Sequence, residues 1–238
     1  MLLFYVRHGH PTYDPDALTP IGRRQAEAAA RRLAGFGLDK IFVSSSARAR
    51  QTAEPAAELC GLEPVVLDWC NEHHAWQEMS VDDGGVRKWC FATDYFAEKF
   101  VSPAIAALGG KWYDSPEFAG RKFREGILRV ERETDAFLET LGYRHDRGRN
   151  LFLPVKPTGE RVALFAHEGF GKMFMSAVLD IPYPQVATRL EMSYTGVSVI
   201  EFAVRPGGFV IPEILTYAND SHLYRDGLPL HYQHRLRF

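Results

Sequence analysis

Cysteine is scarce in this chain. Cys60, Cys70 and Cys90 are odd in number, and no two of them form a CxxC pair. That excludes a disulfide framework and a zinc–thiolate site and fits a reducing compartment. Long apolar runs are missing too. No stretch approaches the roughly 18 apolar residues of a membrane span, and the apolar start before Arg7 is too short for a secretory signal. The cytoplasm is the expected location. An excess of charge of one sign is also lacking. The formal net charge of -2 offers no global attraction to nucleic acid or to an anionic membrane, so any anion must be held locally. There is no internal repeat and no low-complexity tract. The 238 residues suffice for one good-sized core, or one core with an appended piece.

What is present is organised around Arg7-His8-Gly9-His10, which follows the apolar run Leu2-Leu3-Phe4-Tyr5-Val6. The run reads as a buried strand that delivers polar side chains to the edge of a sheet, where ligands bind in open α/β folds. Gly9 permits a sharp turn or a close approach. Thr19 and Pro20 suit the N-cap and first position of a helix that runs through an Ala- and Arg-rich stretch to Gly35 or Gly37. A second strand is expected over 39–43. Ser44-Ser45-Ser46 then caps a helix from Ala47 that Gly61 closes. This brings Arg48 to the same sheet edge as Arg7. A third strand is expected over 63–67.

The strand–helix rhythm then breaks. Residues 70–120 are rich in aromatics and read as short helices and loops forming a cap over the sheet edge. A long amphipathic helix follows over about 120–141, then a polar loop over 143–160. Residues 161–166 form a strand that ends in His167-Glu168-Gly169, repeating the strand–histidine–glycine arrangement of the start. Strands over 198–204 and 209–215 flank Arg205-Pro206-Gly207-Gly208 as a hairpin. The tail from Asn219 onward, with His222, shows no assignable pattern. The fold class is therefore α/β, with a largely parallel central sheet and helices on both faces. Residues 1–238 form a single domain in which 70–120 is the inserted cap.

Two arginines and two histidines at one sheet edge make a local anion site. Arginine's planar fork suits phosphate oxygens. A phosphomonoester carries roughly -1.5 to -2 charge at pH 7, which Arg7, Arg48 and a protonated His167 can match. A histidine at the centre of such a site can act as nucleophile. The leaving oxygen then needs a proton donor, and Glu72, just after the third strand, is the candidate.

Four stretches together resemble the histidine phosphatase superfamily, which includes phosphoglycerate mutases and many phosphomonoesterases. They are Val6-Arg7-His8-Gly9, Leu18-Thr19-Pro20-Ile21-Gly22-Arg23-Arg24-Gln25-Ala26, Ser44-Ser45-Ser46-Ala47-Arg48-Ala49-Arg50-Gln51-Thr52-Ala53, and Phe165-Ala166-His167-Glu168-Gly169. The resemblance implies that His8 is the phosphorylated nucleophile and that Glu72 is the acid/base carboxylate. Arg7, Arg48 and His167 would hold the phosphoryl group, with the backbone N–H of Glu168 beside it. No metal and no cofactor is implied. The implied function is a metal-independent phosphomonoester phosphatase acting on a small molecule, with neither nucleic acid nor membrane as partner. Alternatives are a phosphoglycerate mutase-type isomerase using the same residues and a non-catalytic phospho-ligand module. A homodimer through an edge strand or the C-terminal segment is compatible with the sequence. The chain departs from the family pattern in three places. Asp14 stands where asparagine is common, Glu168 where glycine is usual, and His10 where many relatives are acidic.

Overall fold

The computed structural model describes residues 1–229, so the last nine residues, part of the unassigned tail and of the C-terminal segment considered for dimerisation, lie outside it. Its central sheet contains strands β1 (Leu2–Arg7), β2 (Lys40–Ser44), β3 (Val65–Leu67), β4 (Arg161–Ala166), β5 (Val197–Glu201) and β6 (Glu213–Asn219). In space they run β6-β5-β1-β4-β2-β3. The segment β1-β4-β2-β3 is parallel, and β5 and β6 extend it antiparallel.

The period-2 alternation of a strand divides the core. Phe4 and Val6 face one layer, with Ile41, Val43, Ala163 and Phe165. Leu3 and Tyr5 face the other, with Val162, Leu164 and Ala166. The first layer is covered by helices α1 (Pro20–Phe36) and α2 (Ala47–Cys60). Their buried alanines, among them Ala29, Ala30, Ala53 and Ala56, let backbone approach backbone. Thr19 caps α1 by accepting from Gly22 N, and left-handed Gly37 ends it. Ser46 and Gly61 do the same for α2.

The second layer holds helices α3 (Glu72–Met79), α4 (Phe123–Thr140) and α5 (Glu168–Leu179). Between α3 and α4 lie short helical turns whose rings form an aromatic cluster of Phe96, Phe100, Trp112, Phe118 and Phe123. These rings are continuous with the core under the sheet.

Three hairpins lie outside the central sheet. Pro11–Tyr13 pairs with Asp16–Leu18 after the signature. Ser80–Asp83 pairs with Val86–Trp89 around Gly84 and Gly85, both at positive φ. Tyr143–Asp146 pairs with Leu151–Pro154, where a polar loop was expected. The last hairpin shows little apolar alternation because a polar imidazole takes an inward position beside the buried Tyr143 and Phe152. The His145 imidazole is enclosed between Asp135 (2.8 Å) and Asp180 (3.0 Å) and stacks on Phe152. The C-terminal sheet pair is offset from the expected hairpin, with Glu201 opposite Glu213 and the loop longer.

Candidate active site

The parallel register sets the site. Arg7 lies opposite Ala166 and Val43 opposite Phe165, so β1, β4 and β2 end level with one another. Pairing continues one step past β1, since His8 N donates to Ala166 O. The residues that follow β1 and β4, His8 and His167, therefore meet beside Ser44, the last residue of β2. The ring centroids of His8 and His167 are 5.2 Å apart.

His8 is almost fully buried, and its Nδ1 lies 2.8 Å from Gly9 O. A carbonyl only accepts, so Nδ1 carries the proton and Nε2 keeps its lone pair. That lone pair faces the Arg48 Nε–H at 3.4 Å. Burial first, then Arg7 and Arg48, holds the His8 pKa well below the usual histidine value. The ring is neutral over the ordinary pH range.

The signature loop is fixed by close backbone contact with the start of α1. An added Cβ at Gly9 would sit 2.6 Å from Gly22 O, and one at Gly22 would sit 2.2 Å from His10 O. Gly9 N donates to Thr52 Oγ1 and His10 N to Gln25 Oε1. Gly22→Ala must separate two backbones and should destabilise the fold by about 1–3 kcal/mol. Thermal melting checks this: an unchanged Tm would contradict the contact.

Arg48 reaches the site from the first turn of α2. Its Nη1 donates to Asp16 at 2.7 Å and its Nη2 lies 3.2 Å from His167 Nδ1. His167 accepts there and uses Nε2 to donate to Ser44 Oγ at 2.8 Å. A protonated His167 was the expectation from charge matching. In the structure, burial and the neighbouring His8, Arg48 and Arg7 push its pKa well below the usual value, so the ring is neutral until an anion arrives. Arg7 is buried, donates to Met192 O and lies over the Tyr194 ring at 4.2 Å.

Glu168 is buried as well, but its carboxylate turns away from the pocket. It pairs with Arg7 at 2.8 Å and approaches the buried Lys172 at 3.5 Å. The backbone of Glu168 and Gly169 lines the pocket at the N-terminus of α5, where helix N–H groups favour an anion.

Glu72 opens α3, with Asn71 as its N-cap. Its Oε1 accepts from Phe170 N at 2.9 Å and its Oε2 lies 3.4 Å from His167 Nδ1. Burial raises its pKa to about 7, against the opposing pull of the Phe170 N–H and the two arginines. Near neutrality it can therefore give or take a proton.

His10 is held at the start of α1 through Thr19 Oγ1 at 2.9 Å. Asp14 does not enter the phosphate end of the site. It is exposed at the tip of the first hairpin, and the acid that touches the site is Asp16, through Arg48. Sequence reasoning missed Asp16, Thr52, Tyr194 and Ser44 as a partner of His167. Only Ser44 carried a signal, being the last residue of a strand whose end was already assigned to the site. His222, left without a role, binds Thr195 Oγ1 at 3.0 Å. Thr195 is held at a φ of 56° and its N–H donates to His8 O, so the C-terminal segment braces the backbone behind His8.

His8, Glu72 and His167 place one ligand-type atom each within 4.8 Å of one another, which is also the spacing of a metal site. Two guanidiniums in the same cavity oppose a cation, and Arg48 covers lone pairs of both histidines. The donor set suits a tetrahedral anion. The cavity measures about 520 Å³ and is walled on the far side by Tyr13, Trp76, Trp89 and Phe91. A larger groove of about 750 Å³ beside α2 and β3 brings together no comparable group of reactive side chains.

The pattern of residues 3–94 matches the model of the histidine phosphatase superfamily, branch 1. These residues belong to that superfamily. A stretch of 72 residues is 35% identical to the probable phosphoglycerate mutase GpmB of Yersinia enterocolitica, covering 26% of this chain and 34% of that one. The matches to curated relatives span about a third of their length or less. The fold aligns with those of solved phosphatases over about nine-tenths of the chain. The mycobacterial glucosyl-3-phosphoglycerate phosphatase aligns with a TM-score of 0.59 at 18% identity, covering 91% of this chain and 98% of that one. The phosphoserine phosphatase of Entamoeba histolytica, solved with phosphoserine, aligns with a TM-score of 0.55 at 18% identity, covering 93% and 98%. Among the described residues, no helix is long and apolar enough to cross a membrane.

Proposed function

We propose that the protein is a metal-independent phosphomonoester phosphatase working through a phosphohistidine on His8. One observation carries this reading: the proton of the neutral His8 ring is committed from Nδ1 to Gly9 O, which leaves the unprotonated nitrogen at Nε2, with only the long 3.4 Å contact from Arg48 beside it. Arg7, Arg48, His167 and the α5 N-terminus at Glu168 surround the phosphoryl group and offset the charge on its equatorial oxygens. In the first step the His8 Nε2–P bond forms as the ester P–O bond breaks, and Glu72 gives its proton to the departing oxygen. In the second step water attacks phosphorus as the His8 Nε2–P bond breaks, the carboxylate of Glu72 takes the water's proton, and inorganic phosphate leaves with the Nε2 lone pair restored. The two guanidiniums supply the positive charge that a metal would otherwise bring. In this reading residues 1–238 are one catalytic domain, residues 70–120 are its cap, and the enzyme acts in the cytoplasm.

The likeness to a probable phosphoglycerate mutase raises a second reading, in which the phosphoryl group returns to a bound acceptor. A mutase must hold an intermediate with two phosphates, which requires positive charge beyond the first phosphate site. Among the described residues, Arg7 and Arg48 are the only arginines lining the cavity and no lysine lines it, and both arginines are already paired with carboxylates. Of the basic residues of the cap, Lys88 pairs with Asp83 and Lys99 with Glu117, while Arg87 donates to Gln77 and lies over the Trp76 ring at 5.8 Å. The test is to supply 3-phosphoglycerate with a catalytic amount of 2,3-bisphosphoglycerate, and p-nitrophenyl phosphate in parallel, without metal. Release of inorganic phosphate supports the phosphatase. Efficient formation of 2-phosphoglycerate with little free phosphate overturns it in favour of the mutase. Binding without turnover of any substrate leaves a phospho-ligand module.

A further inference from the structure

The wall opposite the arginines is built from rings. Trp76 and Trp89 meet edge to face at 5.0 Å, and Trp89 stacks on Phe91 at 5.6 Å with an interplanar angle of 16°. All three line the cavity and are partly exposed within it, with Tyr13 across the opening. Their positions relative to the chemistry are fixed. Trp76 follows Glu72 by four residues on α3, so the two side chains share one helix face. An alcohol oxygen protonated by Glu72 must therefore carry its organic group along Trp76. Trp89 packs against the N-terminus of α5, where a Cβ on Gly169 would lie 2.5 Å from its six-membered ring. The rings thus begin where the phosphoryl group ends.

The polar groups along this wall are few. Asn71 is spent within the protein, donating to Ser45 Oγ at 2.8 Å and accepting from His73 N at 3.0 Å. His73 and Tyr13 lie at the exposed mouth. Lys172 approaches Phe91 at 4.6 Å, but from its buried side, close to Leu190 O, so its charge does not enter the cavity. Arg87 lies over the Trp76 ring at 5.8 Å and donates to Ser80 and Gln77, but it does not line the cavity. Among the described lining residues, a second anionic group on the substrate would find no cation beyond Arg7 and Arg48, and a polyhydroxylated one would find few partners. A flat, uncharged ring fits both the surface and its lack of charge.

We infer that the aromatic wall of Trp76, Trp89 and Phe91 is a subsite for the alcohol portion of the substrate, and that this portion carries an uncharged aromatic ring. The inference rests on the phosphatase reading for the position of the phosphoryl group. Benzyl phosphate and ethyl phosphate both leave as simple alkoxides, so their comparison isolates the ring from leaving-group chemistry. Stacking of one ring should raise kcat/KM for benzyl over ethyl phosphate by about tenfold to a hundredfold. 3-Phosphoglycerate should show no such advantage. Trp76→Ala should reduce the benzyl-to-ethyl ratio by about tenfold, and Trp76→Phe should retain most of it. A non-hydrolysable pair gives a readout free of turnover: benzylphosphonate should change the intrinsic tryptophan fluorescence at concentrations where methylphosphonate does not. Equal kcat/KM for the two esters would overturn the aromatic subsite and leave the phosphatase intact. Selective binding of benzylphosphonate without hydrolysis of any ester would keep the subsite and overturn the phosphatase. A preference for 3-phosphoglycerate over both esters would overturn the subsite, because it would show that the pocket selects a second anion and not a ring.

Discussion

His8→Ala is expected to lower turnover on every phosphomonoester by on the order of 10³-fold or more, with the fold intact. The size of the effect follows from position. His167 donates from Nε2 to Ser44 and holds its Nδ1 against both Arg48 at 3.2 Å and Glu72 at 3.4 Å, whereas His8 Nε2 is an unprotonated nitrogen with only a 3.4 Å contact from the Arg48 Nε–H. No neighbour can replace it in line with phosphorus. Water attacking directly would also lose the charge stabilisation that the site directs at a nitrogen–phosphorus intermediate. Brief mixing of wild-type protein with labelled substrate should trap a phosphoenzyme that is acid-labile and alkali-stable, as a phosphoramidate is, and His8→Ala should trap none. Wild-type turnover in His8→Ala would refute the assignment of the nucleophile.

Glu72→Gln should lower turnover by about 10²–10⁴-fold on alkyl esters. The loss should be much smaller on p-nitrophenyl phosphate, whose leaving group hardly needs a proton. The pH profile carries the same signature. Burial raises Glu72 to about 7, so the donor is protonated below that value and lost as pH rises through it. His8 is held well below the usual histidine value, so the nucleophile is already neutral on the acidic side. Turnover of an alkyl ester should therefore hold below about pH 7 and decline above it. The decline should be absent in Glu72→Gln, which still hydrolyses p-nitrophenyl phosphate. Equal losses on both ester types would remove the acid role from Glu72 and assign it to His10 or another acid near the pocket.

The sequence alone determined the frame. Alternating apolar residues, capping residues and closing glycines are local signals, and the structure returns them closely: Thr19 and Gly37 bound α1, Ser46 and Gly61 bound α2, and residues 161–166 form a strand as expected. The sheet edge was legible for the same reason, because Arg7-His8 and His167 each follow an apolar run directly. The hairpin at Tyr143–Asp146 was not legible, since the inward position after Tyr143 is the polar His145 held between two aspartates, which breaks the apolar alternation that marks a strand. The protonation states were decided by tertiary structure alone. Burial and two guanidiniums make His8 and His167 neutral, while burial brings Glu72 to about neutrality. The partners that restrain the arginines, Glu168 for Arg7 and Asp16 for Arg48, were equally hidden, as was the wall in which Trp76, Trp89 and Phe91 stand together. Charge interaction and ring packing depend on distances of a few ångströms between residues far apart in the chain, and only the folded backbone sets those distances.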